Sequence, residues 1–164
     1  MRPAGTAILL TMRVRVAEVS EAPALTGIIN AAFQVEKFFI DADRIDLPQV
    51  EEFFGKGSFL VAEDDDGMAA CVYVERRGER GYFGLLSVQP ERQKGGFGRL
   101  LVEAAEQHCR ALGCAAMDLQ IVNLRRELPA FYQRLGYAET GTGEFPADVA
   151  TRLPCHFVRM SKAL

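Results

Sequence analysis

Two rhythms of hydrophobic and polar positions run along this chain. Val14, Val16 and Val19, set among Arg13, Arg15 and Glu18, read as a short strand of mixed alternation. Leu25, Ile28, Ile29, Ala32 and Phe33 then recur at helical spacing and predict a helix over 22–33, with Ser20 as N-cap and Pro23 in the first turn. Residues 34–46 are less patterned and are expected to form a loop with some helical turn. Pro48 opens a short helix that Gly55 and Gly57 end. Three strands are predicted next, over 59–63, 68–75 and 82–88. The polar turns between them make an antiparallel meander, with Asp64, Asp65 and Asp66 read as a solvated turn. Phe97, Leu100, Leu101, Ala104, Ala105, Cys109 and Leu112 form the stripe of a long helix that Gly113 caps. A buried strand over 115–122 follows, then a helix over 126–135 ending at Gly136, and strands over 137–143 and 156–160. Strand, helices, meander, helix, strand, helix and two strands together predict an α/β (α+β) mixed sheet with helices on both faces.

Composition narrows the classes of function. The chain has 164 residues, 49% hydrophobic and 25% charged, enough apolar surface for a core of its own. No repeat or linker divides it, so residues 12–164 read as one domain and residues 1–11 as a flexible tail. The apolar run at 7–12 is too short for a targeting segment. The balance of 19 Lys+Arg against 22 Asp+Glu gives a net charge of -3, which argues against nucleic acid as a partner. No stretch approaches the ~20 apolar residues of a membrane span. Cys71, Cys109, Cys114 and Cys155 form no CxxC pair, which argues against a metal site and suits reduced thiols in a cytoplasmic protein.

The chemistry concentrates in Gln93-Lys94-Gly95-Gly96-Phe97-Gly98-Arg99. Three glycines where a strand gives way to a helix leave backbone N–H groups free to face one centre. The helix dipole adds partial positive charge there, so the turn can cradle a pyrophosphate. A tight turn that needs glycine only for its backbone angles is the alternative. The Gly-Lys-Ser/Thr ending of a nucleoside triphosphatase loop is missing. Leu101 stands where a dinucleotide fingerprint needs its third glycine.

With Leu86-Ser87-Val88-Gln89-Pro90 before this loop and Phe131-Tyr132-Gln133-Arg134-Leu135-Gly136-Tyr137 after it, the sequence resembles the GNAT superfamily of acetyl-CoA-dependent N-acetyltransferases over residues 13–162. The resemblance implies a mostly antiparallel sheet splayed into a V between the strands at 82–88 and 115–121, where pantetheine pairs with the backbone of Leu86, Ser87 and Val88. It implies that the pyrophosphate rests on Gln93, Lys94, Gly95, Gly96, Phe97, Gly98 and Arg99. Asn123 is either a further cofactor contact or the N-cap of the next helix. The resemblance also implies Tyr132, at the cofactor, as general acid to the CoA thiolate, and the amide of Val88 as donor to the developing oxyanion.

The proton acceptor is open. Several relatives carry a Glu early in the strand before the loop, and here that position holds Tyr82. Glu36, Glu75, His156 or a water chain are the candidates. The expected co-substrate is acetyl-CoA with no metal, and the expected partner is a small-molecule or peptide amine, on a monomer or homodimer. A non-catalytic acyl-CoA-binding or sensor module is the alternative. The acceptor is expected to meet the 34–56 region and the 141–155 loop. Phe33, Phe38, Phe39, Phe53 and Phe54 either line an apolar pocket or, the favoured use, pack in the core, and Asp41, Asp43 and Asp46 either attract a cationic amine or, the favoured reading, form a solvated loop.

Overall fold

The computed structural model describes residues 12–164, so the tail reading of residues 1–11 lies outside the described residues. The elements are β1 (Arg13–Val16), α1 (Ala22–Ala32), α2 (Leu47–Phe54), β2 (Ser58–Asp64), β3 (Gly67–Arg77), β4 (Arg80–Val88), α3 (Phe97–Ala111), β5 (Ala116–Val122), α4 (Leu128–Arg134), β6 (Ala138–Glu144) and β7 (His156–Ala163). They build a seven-stranded sheet in the order β1-β2-β3-β4-β5-β7-β6. β4 and β5 run parallel, while the other neighbouring strands of the described sheet pair antiparallel.

Period-two burial on the strands sends alternate residues into two cores. Leu60, Ala62, Val72 and Val74 join Leu101, Val102, Ala105 and Cys109 of α3 on one face. Phe59, Val61, Cys71 and Tyr73 meet Leu25 and Ile29 of α1 and Val50 of α2 on the other. Cys71, Cys109 and Cys114 are buried thiols. A third small core joins Phe39, Ile40 and Val122 to Phe145 and Val149, where two long loops meet the end of β5.

The approach to α1 departs from expectation. Ser20 does not cap it; a 3-10 turn, Val19–Glu21, precedes the helix. The Glu21 carboxylate accepts from the backbone N–H of Glu18 at 3.0 Å and holds the Arg15 guanidinium through two 2.7 Å bonds. A bidentate Arg pair outcompetes a serine hydroxyl at such a corner. The same Arg15 pushes the Glu21 carboxyl down from its ordinary value of 4.5 to about 2. A folded-state value below the unfolded one contributes stability above the unfolded pKa and loses it as pH falls through the folded one. Glu21→Gln is therefore expected to lower the melting temperature near neutral pH. A melting series should show the gap to wild type closing as pH falls from about 4.5 towards 2, the window set by those two values.

What shapes the site is a break in the ladder. β4 pairs with β5 only through Arg80↔Ala116, Gly81↔Met117 and Tyr82↔Asp118. Arg80 clasps Asp118 at 2.6 and 2.7 Å at this base, and Ser161 adds a hydrogen bond of 2.6 Å to the same carboxylate. Beyond Tyr82 the two strands part. On its other side β4 carries a bulge: Cys71 pairs with Ser87 and Tyr73 with Gly84, so Leu85 and Leu86 together oppose Val72. Leu85 takes a φ of 54°, and the extra residue resets which face each side chain meets. Phe83 and Leu86 pack towards α3, whereas Tyr82 and Leu85 pack towards α1. The bulge bends β4 away from β5 where the pairing ends.

Candidate active site

The V opens into a cavity of about 910 Å³. β4 lines one wall with Tyr82, Gly84, Leu86 and Val88, and β5 lines the other with Leu119, Gln120, Ile121 and Val122. The backbone edges of these arms are no longer bonded to one another beyond the Tyr82↔Asp118 pair, so they face the cavity as unpaired strand edges.

The glycine loop lies at the open end of the V. Pro90–Gly95 is a 3-10 turn, Gly96 follows in the left-handed region at φ 80°, and α3 begins at Phe97. The helical bond of Leu100 N–H to the Gly96 carbonyl, at 3.1 Å, leaves the amides of Phe97, Gly98 and Arg99 as first-turn donors. Gln93, Gly96, Gly98 and Arg99 line the cavity. A Cβ on Gly96 would meet nothing within 4 Å, so the loop presents bare backbone to open space. The Phe97 ring is buried in the core, leaving only its amide for a ligand. Lys94 and Gly95 are exposed beside the cavity, and the buried Ser87 hydroxyl donates to the Leu85 carbonyl at 2.8 Å.

Asp64 is not the solvated turn residue expected. Its side chain is 1% exposed and ion-paired with Arg92 of the glycine loop, while Oδ1 accepts from the Asp66 amide at 2.8 Å. The Arg92 guanidinium also lies 5.2 Å from the centre of the Phe97 ring. Gln89 adds bonds to the Ala69 and Met68 carbonyls at 2.9 and 3.0 Å. The β2–β3 hairpin thereby holds the loop from behind. Arg92 was not singled out in the sequence, because its partner stands 28 residues earlier and no local pattern connects them.

Tyr132 stands on α4 at 5% exposure, its ring packed near Phe83, Phe131 and Tyr137, and it lines the cavity. Burial raises its phenol pKa, so it keeps its proton at neutral pH. Among the proton-acceptor candidates, Glu36 also lines the cavity. It is buried, held by Arg125 at 3.1 Å, and its carboxyl is shifted upward because burial outweighs that partner. Glu75 and His156 are not among the cavity-lining residues. Glu75 accepts from the Tyr73 hydroxyl at 2.5 Å and pairs with Arg77. Asn123 is not among the cavity-lining residues and caps no helix: its Oδ1 accepts from the His156 amide at 2.9 Å, which fixes the start of β7.

The mouth is shaped by the two loops expected to meet an acceptor. The Arg152 amide donates to the Phe39 carbonyl at 2.8 Å, and its guanidinium pairs with Asp41 at 3.0 Å and reaches the Lys37 carbonyl. Asp43 pairs with Lys37 at 3.2 Å, and Asp46 caps α2 by accepting from the Gln49 amide at 2.9 Å. Asp41 and Asp43 line the cavity as exposed carboxylates paired with Arg152 and Lys37, whereas Asp46 is not among the lining residues and serves the α2 cap. Of the five phenylalanines, Phe33 alone is among the lining residues. Phe39 is buried in the third core, Phe38 is exposed, and Phe53 and Phe54 stack near Phe59.

The sequence profile of the acetyltransferase (GNAT) domain matches residues 55–139, a span running from the end of α2 to the start of β6 and containing both the V and the glycine loop. The chain belongs to the GNAT acetyltransferase family. A mycothiol acetyltransferase of Propionibacterium freudenreichii is 27% identical over 135 residues, covering 77% of this chain and 43% of that one. A second, from Saccharopolyspora erythraea, is 29% identical over 73% of this chain and 41% of its own length. The chain thus spans less than half the length of these relatives. Solved structures repeat the GNAT fold. The ribosomal-protein-S18-alanine N-acetyltransferase of Escherichia coli superposes with a TM-score of 0.74 at 17% identity, covering 93% of each chain. The Salmonella typhimurium protein yncA, solved with its cofactor acetyl-CoA, superposes with a TM-score of 0.73 at 19% identity over 93% of this chain and 94% of that one. No cluster of three or more His, Cys, Asp or Glu suited to a metal ion occurs among the described residues. None of the described helices is long and apolar enough to cross a membrane.

Proposed function

We propose that residues 12–164 form one catalytic unit that moves an acetyl group from acetyl-CoA directly to a primary amine. The observation that carries this reading is the meeting, in one cavity, of an unpaired strand edge, a bare glycine loop at a helix start and a buried, protonated tyrosine. The cavity fits a long ligand with an apolar-to-polar arm and an anionic end. The edge of β4 at Leu86 and Val88 would pair with the pantetheine amides as a neighbouring strand does. The amides of residues 94–99 would take the pyrophosphate, with Arg99 adding charge at the rim.

Acetyl-CoA supplies a thioester carbonyl, and the chain's groups handle the charges. The Val88 amide donates to the carbonyl oxygen as negative charge builds there. Tyr132 gives its phenolic proton to the departing sulfur. The amine reacts as its neutral form, its ammonium proton having passed to solvent. The new bond joins nitrogen to the acetyl carbon, the carbon–sulfur bond breaks, and the second proton the nitrogen sheds passes through solvent to restore the Tyr132 phenol.

Thiol release from acetyl-CoA, followed with a chromogenic thiol reagent across ethanolamine, glycinamide, tyramine, spermidine and an N-terminal alanyl peptide, tests the reading. Amine-dependent release together with acetylated amine by mass spectrometry supports it. Acetyl-CoA binding with no release for any amine would leave the sensor reading in its place.

A further inference from the structure

Tyr82 sits at the apex of the V, in the last pair that β4 makes with β5 before the strands part. Three features fix it there. Gly84, two residues on and on the same side of the strand, leaves the space the phenol uses: a Cβ on Gly84 would lie 2.8 Å from the Tyr82 hydroxyl and 3.3 Å from two ring carbons. The Arg77 guanidinium stacks on the ring, 3.8 Å from its centre. Arg77 is in turn paired with Glu75, which accepts from Tyr73. The phenol therefore lies along β4, over a glycine and under a cation, among the residues that line the cavity.

From this geometry we infer that the Tyr82 hydroxyl is a contact for the acceptor amine, an oxygen that accepts an N–H and turns the nitrogen towards the acyl carbon. The inference rests on the acetyltransferase reading above and deepens it. Tyr82 and Tyr132 belong to opposite arms of the V, one on β4 and one on the helix after β5, and both line the cavity. The nitrogen and the sulfur are the two ends of the exchange, so a phenol for each arm divides the work: Tyr132 serves the leaving sulfur and Tyr82 the arriving nitrogen. Burial raises the Tyr82 pKa, in the presence of Arg77 and Arg44, which pull the other way. The hydroxyl thus stays neutral through the working pH range and orients the amine without deprotonating it. Gly84 serves this arrangement as well: its φ lies outside the left-handed region, so the backbone allows an alanine, and the nearest atoms its Cβ would meet are those of the Tyr82 phenol.

A double-mutant cycle in steady-state kinetics tests this, using whichever amine of the panel above gives the fastest thiol release. A hydrogen bond kept in both the bound and the reacting complex shows as a change in KM rather than kcat. Tyr82→Phe is expected to raise the amine KM about threefold to tenfold, the scale of one neutral hydrogen bond, with kcat changed less than about twofold. Calorimetry should give an acetyl-CoA affinity within about twofold of wild type, which a structural collapse of β4 would not allow. Gly84→Ala is expected to raise the amine KM similarly in wild type by displacing the phenol. In the Tyr82→Phe background, where the closest contact is gone, it should add less than about twofold. An unchanged amine KM in Tyr82→Phe, or a Gly84→Ala effect of equal size in both backgrounds, would overturn the inference while leaving the acetyltransferase reading intact. A wild-type protein that acetylates none of the amines would overturn both together.

Discussion

Gly96→Glu is expected to abolish acetyl-CoA binding while the protein stays folded. Gly96 stands at φ 80° at the start of α3, with open space where a Cβ would project and the cavity in front of it. A glutamate there brings a negative charge and five heavy side-chain atoms into the place proposed for the pyrophosphate. Like charges about 4 Å apart in a partly shielded site repel by roughly 4 kcal/mol, a loss of more than about 100-fold in affinity. Alanine at the same position separates the causes. It carries only the cost of a left-handed backbone, about 1–2 kcal/mol, read as a melting point lower by several degrees. Calorimetric titration with acetyl-CoA should find binding close to wild type in Gly96→Ala, whose cost falls on the melting point, and none in Gly96→Glu. Equal binding by Gly96→Glu and wild type would move the pyrophosphate off this loop.

Tyr132→Phe is expected to lower kcat by about 100-fold to 10,000-fold, the range of a lost general acid, with acetyl-CoA affinity nearly unchanged. The split follows from the packing. The ring near Phe83, Phe131 and Tyr137 keeps its place without the hydroxyl, so neither α4 nor the cavity wall moves. Stopped-flow thiol release, with calorimetry on the same preparation, reads both quantities. A variant that lost binding and turnover in equal measure would assign the phenol a packing role, and one with full turnover would remove it from proton transfer.

Most elements of this fold were legible because their signals are local. The apolar stripe from Phe97 to Cys109 marks α3, and the polar turns at 64–67 and 77–81 mark the meander; both appear in the structure with small shifts in their ends. The GNAT assignment was legible for a related reason. Glycines at 95, 96 and 98 and the Phe131-Tyr132 pair are short segments in a fixed order along the chain, readable before the fold is known.

What the sequence did not disclose depends on partners far apart along the chain. Asp64 reads as one of three aspartates in a turn, and only the fold brings Arg92 against it. Glu36 reads as a loop acid, and Arg125, 89 residues on, makes it part of the cavity wall. Ser20 has the chemistry of a cap but loses the corner to the Arg15–Glu21 pair. The bulge at Leu85 leaves no mark in an apolar run where any phase of alternation looks alike, yet it decides which side chains face the V. Tyr82 was visible as a departure at a family position, while the role of Gly84 beside it required the distance between them.

The most direct test of the account is a crystal structure of the protein grown with acetyl-CoA. The expected result is an extended pantetheine arm bonded to the β4 edge at Leu86 and Val88, the pyrophosphate on the amides of residues 94–99, and the thioester sulfur within hydrogen-bond reach of the Tyr132 hydroxyl. Acetyl-CoA lying outside the V, or inside it with its sulfur remote from Tyr132, would contradict the account.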